Sequence, residues 1–154
     1  MNTAHRQQSR AKRYNADPMS MFKVMNKIQP FRADELTQLS LPVRVAFDCL
    51  RTGEGKEVHF HTLAAAINVA LIRSETIDQL CVETCQRAQD ALMSILARSK
   101  RLGKWGLDAA GLQDIPPAID LHEQLLKLST PLQLQKAMNE AIQRMRAGQA
   151  LELK

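Results

Sequence analysis

Between Val43 and Met145 the apolar residues of this chain recur every three or four positions, and proline or glycine punctuates the breaks between runs. Val43, Ala46, Phe47 and Leu50 make one such run. Phe60, Leu63, Ala64, Ile67, Ala70 and Leu71 make another, and Leu134, Ala137, Met138, Ala141, Ile142 and Met145 a third. A period near 3.6 sets one face of a helix against a core, and no stretch shows the period-two alternation of a half-buried strand. The apolar content is Leu, Ala, Ile and Met, with only 4% aromatic residues, which favours helix over strand. The pattern predicts an all-α protein: an antiparallel helical bundle of about four main helices, within one domain of ordinary size.

Capping signals divide the pattern. Asp34 is placed to cap a short turn. Ser40 reads as the N-cap of a helix with Pro42 in its first turn and Gly53 at its end. A second helix is expected over about 59–73, where three successive alanines (Ala64, Ala65, Ala66) allow close approach by a neighbour. Thr76 and Gln79 form a capping box for a long third helix over 76–102, the natural central element, with Ile77, Leu80, Cys81, Cys85, Ala88, Leu92, Ile95, Leu96 and Leu102 inward. Asp108 caps a stretch that Pro116 and Pro117 should end, a new helix starting there. Thr130 with Pro131 starts the last helix, and Gly148 closes it.

The chain is expected to consist of a basic arm (1–17), an apolar docking segment (18–32), the helical domain (33–148) and a short tail (149–154). The charge is distributed unevenly along it. Seven of the 21 Lys and Arg fall within residues 1–32 against a single acid, Asp17, giving +6. Residues 33–154 hold the other fourteen against fifteen acids, giving −1. The net positive charge therefore belongs to the N-terminal fifth. Arg6, Arg10, Lys12 and Arg13, followed by Tyr14, suit an arm that grips phosphates; a run of like charge also suits a solvating tail.

A second cationic cluster, Arg98, Lys100, Arg101 and Lys104, stands beside the only tryptophan, Trp105. Cations next to an aromatic ring could serve nucleic-acid or partner binding. The same residues also complement a helix C-terminus, with the ring plugging the end of the bundle.

No chemistry-bearing motif stands out. Cys81 and Cys85, one turn apart, could be half of a zinc site completed by His59, His61 or His122. Two thiols lining a core explain them as well, and no second ligand pair has recognisable spacing. His59 and His61 read as residues of a helix start, and His122, between Asp120 and Glu123, as a surface residue. The junction at 73–76 has the order of a helix-turn-helix, but lacks a turn glycine, and the helix after it is too apolar for recognition. There is no Ser-His-Asp or Cys-His arrangement and no glycine-rich phosphate loop. The expectation is a protein without enzymatic activity, cofactor or metal. No apolar run is long enough to span a bilayer, and the N-terminus lacks the apolar core of a secretory signal.

Three stretches, KRYN (12–15), HTLAAAINVA (61–70) and GKWG (103–106), resemble small all-helical proteins encoded by bacteriophages and prophages of proteobacteria. Those relatives are richer in proline after the tyrosine, where this chain has Asn15, Ala16 and Asp17 before Pro18. The resemblance implies a cytoplasmic protein of a bacterial host and supplies no active site. With it, the first expectation is an interaction protein that docks on a host or phage macromolecule as modulator or inhibitor. The alternative is a nucleic-acid-binding regulator using the arm and the Arg98–Lys104 cluster, and a homodimer through the alanine-rich second helix is open.

Overall fold

A computed structural model describes residues 26–148. They are helical throughout, with short connections. Five long helices follow one another: α1 (Ala33–Thr52), α2 (Glu57–Ser74), α3 (Gln79–Leu102), α4 (Ala109–Lys127) and α5 (Pro131–Arg146). The basic arm, most of the apolar segment and the C-terminal tail lie outside the described residues. Among the described residues the only extended pairing is a single bridge between Gly55 and Trp105. No helix among them is long and apolar enough to cross a membrane.

Three of the expected boundaries move. Ser40 does not start a helix; its hydroxyl donates to the Leu36 carbonyl at 2.8 Å from inside α1. The helix begins at Ala33, where the Arg32 backbone N–H donates to the Glu35 carboxylate at 2.8 Å. Pro42 is tolerated inside α1 because the carbonyl it leaves unpaired belongs to exposed Gln38, where water can satisfy it. The same reasoning corrects the expected break at Pro116 and Pro117. Their unpaired carbonyls belong to Leu112 and Gln113, both exposed, and α4 runs through. Finally, Asp78 rather than Thr76 caps α3, accepting from the Leu80 N–H at 3.2 Å, while the Thr76 hydroxyl turns back to the Arg73 carbonyl. The caps at Asp108 and Thr130 fall where the sequence puts them.

The central element is α2, not the longer α3: it packs against all four other helices. Phe60, Leu63, Ala64, Ile67 and Ala70 on it are fully buried. Their neighbours in the core are Leu50 of α1, Cys85, Leu92 and Ile95 of α3, and Ile115 and Ile119 of α4. By contrast α3 buries less of its expected stripe than the spacing suggests, since Leu80 and Leu102 at its ends are exposed and Ile77, also exposed, falls in the turn before it. A small second core, Val69 with Ala137 and Ala141, seats α5 on α2.

Two arginine clamps fix helices that the apolar core holds only on one side. Arg44 of α1 reaches α4, its Nε 2.7 Å from Glu123 Oε1 and its Nη2 2.6 Å from Asp120 Oδ1. Arg144 of α5 bonds Glu140 of its own helix and takes both carboxylate oxygens of Glu75, at the end of α2. Each guanidinium holds its partner carboxylate below the usual range, Glu123 beside Arg44 and Glu75 beside Arg144.

Candidate functional site

Of the residues singled out in the sequence, Arg6, Arg10, Lys12, Arg13 and Tyr14 lie outside the described residues. Arg98, Lys100, Arg101, Lys104 and Trp105 come together at one end of the molecule. There α1 and α3 both terminate on left-handed glycines, Gly53 (φ 86°) and Gly103 (φ 66°). The loops after them meet at the Gly55–Trp105 bridge and frame an open crevice of about 410 Å³ with Arg98 and Lys104 in its wall.

The chemistry of this end is mixed. Two helix C-termini point their unpaired carbonyls toward it, so the dipoles favour cations and oppose an anion. The basic residues offset that field before they can attract a phosphate. Arg98 also leans toward Asp108, 3.8 Å away. Trp105 is engaged with the core, its ring 5.2 Å from that of Phe60 at 39°, so stacking on a base would compete with packing. Lys100, Arg101 and Lys104 remain exposed and, among the described residues, form no ion pair.

The histidines and thiols scatter. Among the described residues no three His, Cys, Asp or Glu side chains gather as metal ligands. Cys85 is buried, and burial pushes its thiol up to about 11, which leaves it unreactive. His59 accepts from the Lys56 backbone N–H at 3.1 Å and so caps α2, and His61 pairs with Glu57 on the same helix.

A second surface was not foreseen from the sequence. Helices α1 and α5 both pack on α2 without packing closely on each other, which leaves an apolar groove of about 190 Å³ between them. Leu39 and Pro42 form one bank, Leu134 and Met138 the other, and Thr62, Ala65 and Val69 of α2 the floor. The floor leaves room for a ligand because Ala65 carries only a methyl, and the Thr62 hydroxyl is occupied by the Val58 carbonyl at 2.8 Å. Met138 and Ile142, expected to point inward, are 48% and 40% exposed because α2 covers only half of the α5 stripe. That excess width was the signal in the sequence: α5 carries more apolar face than a peripheral helix can bury.

One polar side chain stands in this apolar wall. His122, expected at the surface, is 7% exposed and lines the groove with Leu126. No hydrogen-bond partner for its ring is found among the described residues, and burial lowers its pKa to about 4, so the imidazole is neutral. An apolar concavity with one neutral donor and acceptor suits an apolar ligand that brings a single polar group.

Compared with protein-family models, with curated proteins and with solved structures, the chain matches none.

Proposed function

We propose that this chain is a non-enzymatic protein-binding module whose groove between α1 and α5 receives a short apolar segment of a partner protein. The observation that carries the reading is the groove itself, lined by apolar side chains except for Thr62, whose hydroxyl is already bonded, and neutral His122. Its size decides the ligand class. Small-molecule sites usually enclose about 300–1,000 Å³, whereas about 190 Å³ accommodates one or two large side chains of a peptide. Methionine and leucine on the banks can repack around different anchors, a habit of surfaces that bind helices in grooves. The resemblance to phage and prophage proteins supplies the setting: docking on a host or phage protein as a modulator.

Selection of short displayed peptides on the purified protein tests this. Peptides with paired large apolar residues should enrich, and binding should be lost in Ala65→Glu, an exposed position whose change leaves the core intact. Enriched peptides that bind Ala65→Glu unchanged, or no enrichment at all, would refute the reading.

A second reading, binding of nucleic acid, is supported by the three exposed lysine and arginine side chains at 100, 101 and 104. It requires an association with DNA or RNA that weakens steeply as salt rises and weakens further when Lys100, Arg101 and Lys104 become glutamine. Salt-insensitive or absent binding would exclude it.

A further inference from the structure

His122 lines the groove between α1 and α5, and its ring has no hydrogen-bond partner among the described residues. We propose that the groove is a tyrosine pocket: a partner protein inserts a tyrosine whose ring lies among Leu39, Leu134 and Met138 and whose hydroxyl is hydrogen-bonded to His122. This assignment rests on reading the groove as a peptide-binding surface, and it names the side chain that fills it.

Two observations point to this occupant. The first is the state of the imidazole. Its ring is almost wholly buried, yet its nitrogens are not sealed off. Among the described residues, the side-chain nitrogens that are both unpartnered and shut away from solvent are His61 Nδ1 and Asn68 Nδ2. Those of His122 are not among them, so they are reached from the groove that the ring lines. A buried polar side chain without a partner is uncommon in a folded chain, and here a ligand can supply one. The second observation is size. A cavity of about 150 Å³ with apolar walls takes up benzene. The groove offers about 190 Å³, room for a six-membered ring and one substituent. The two-ring indole of tryptophan exceeds it, and serine or threonine would leave most of it empty.

Chemistry then selects the polar group. A carboxylate or an ammonium would lose its water among Leu39, Pro42, Val69 and Leu134 and gain a single neutral partner, an unfavourable exchange. A side-chain amide brings two N–H donors and a carbonyl, more than one imidazole satisfies. A hydroxyl brings one donor and accepts as well. It donates to the bare ring nitrogen or accepts from the protonated one, so it fits either tautomer. The Thr62 hydroxyl does not take this place, because its proton is already given to the Val58 carbonyl. Of the protein side chains, only tyrosine joins a hydroxyl to a ring of this size, and tyrosines are among the residues that dominate binding at interfaces.

p-Cresol and toluene, the side chains of tyrosine and phenylalanine cut after Cβ, test this on the full chain. Methyl NMR reads their binding at Met138, which lies in the groove, with Met93, exposed on α3, as the internal control. A purely apolar groove would prefer toluene, because the cresol hydroxyl would lose its water without a new partner. The expected result is the opposite. p-Cresol should bind more tightly than toluene, by up to roughly tenfold for one added hydrogen bond, and leave Met93 unmoved. His122→Leu should reverse the order, and His122→Gln, which keeps a donor and an acceptor, should restore it. Among displayed peptides, tyrosine should enrich over phenylalanine at one anchor position. Tighter binding of toluene by the unaltered protein, or a preference for p-cresol that survives in His122→Leu, would overturn the proposal. So would p-cresol binding without enrichment of tyrosine peptides, which would assign the pocket to a free phenol. If toluene were preferred while peptide binding was still lost in Ala65→Glu, the groove would stand as a peptide site and only its tyrosine would fall.

Discussion

At the scale of single residues, His122 carries the largest consequence. Its imidazole is buried and neutral with a pKa near 4, against an ordinary value of 6.5. The unfolded chain therefore binds this proton more readily than the folded one. Stability from this residue is fully present above pH 6.5 and is lost as the pH falls toward 4. At about 1.4 kcal/mol per pH unit, the loss is of order 3 kcal/mol. Glu123 is shifted downward by Arg44, so its contribution is lost at the acidic side of that window and below. Urea denaturation across pH 4 to 7 should show the decline, and His122→Leu should flatten the part between 6.5 and 4 while sparing the acid limb. An unchanged slope in His122→Leu would assign the pH dependence elsewhere. Gly55 makes a second residue-scale prediction. A Cβ there would lie 2.5 Å from the Trp105 carbonyl oxygen and 2.6 Å from Leu50 Cδ2. Gly55→Ala should therefore cost about 1–3 kcal/mol in thermal or chemical unfolding, as overpacking does.

At the scale of elements, the caps and the prolines separate what local sequence can say from what it cannot. Asp108 and Thr130 were legible because an N-cap is a contact between neighbours in sequence. Ser40, Pro42, Pro116 and Pro117 misled for a shared reason. Whether a proline ends a helix depends on whether the carbonyl it orphans meets water, and that depends on which face the rest of the fold covers. Pro117 is exposed within α4, so Pro117→Ala restores a backbone hydrogen bond to the Gln113 carbonyl. The gain in helix propensity, ~3 kcal/mol, exceeds the ~1 kcal/mol of unfolded-chain entropy that proline suppresses. A net stabilisation of about 1–2 kcal/mol is expected in urea melts, and a destabilised variant would show that the ring packs usefully. Between elements, Arg44 holds α1 to α4 by two carboxylates but is 41% exposed. Arg44→Ala should cost only ~1 kcal/mol, and less in high salt, which denaturation at two ionic strengths will read.

At the scale of the molecule, helical class was legible from periodicity, and the arrangement was not. The length and apolar spacing of α3 made it the obvious centre, yet Ile77, Leu80 and Leu102 are exposed and α2 is surrounded instead. Burial on all sides shows in α2 as small residues placed between large ones, Ala64, Ala66 and Ala70 among Leu63 and Ile67. The alanine run expected to seat a neighbouring helix does so only in part, since Ala65 opens into the groove. The groove itself arises from a gap between α1 and α5, far apart in sequence, so no local pattern encodes it. Arg98, Lys100, Arg101 and Lys104 are neighbours in sequence, which alone accounts for their grouping. Their electrostatic setting at two converging helix C-termini required the fold.

The meeting of Gly55 with Trp105 gives the molecule a built-in spectroscopic reporter. The only tryptophan in the chain sits where the α1–α2 and α3–α4 connections touch, against Phe60. Its fluorescence follows whether the first two helices and the next two have joined, while far-ultraviolet circular dichroism follows the helices themselves. Coincident transitions by the two signals would mean that the halves unfold as one unit. An emission change that precedes the loss of helix would show them parting first, at this seam.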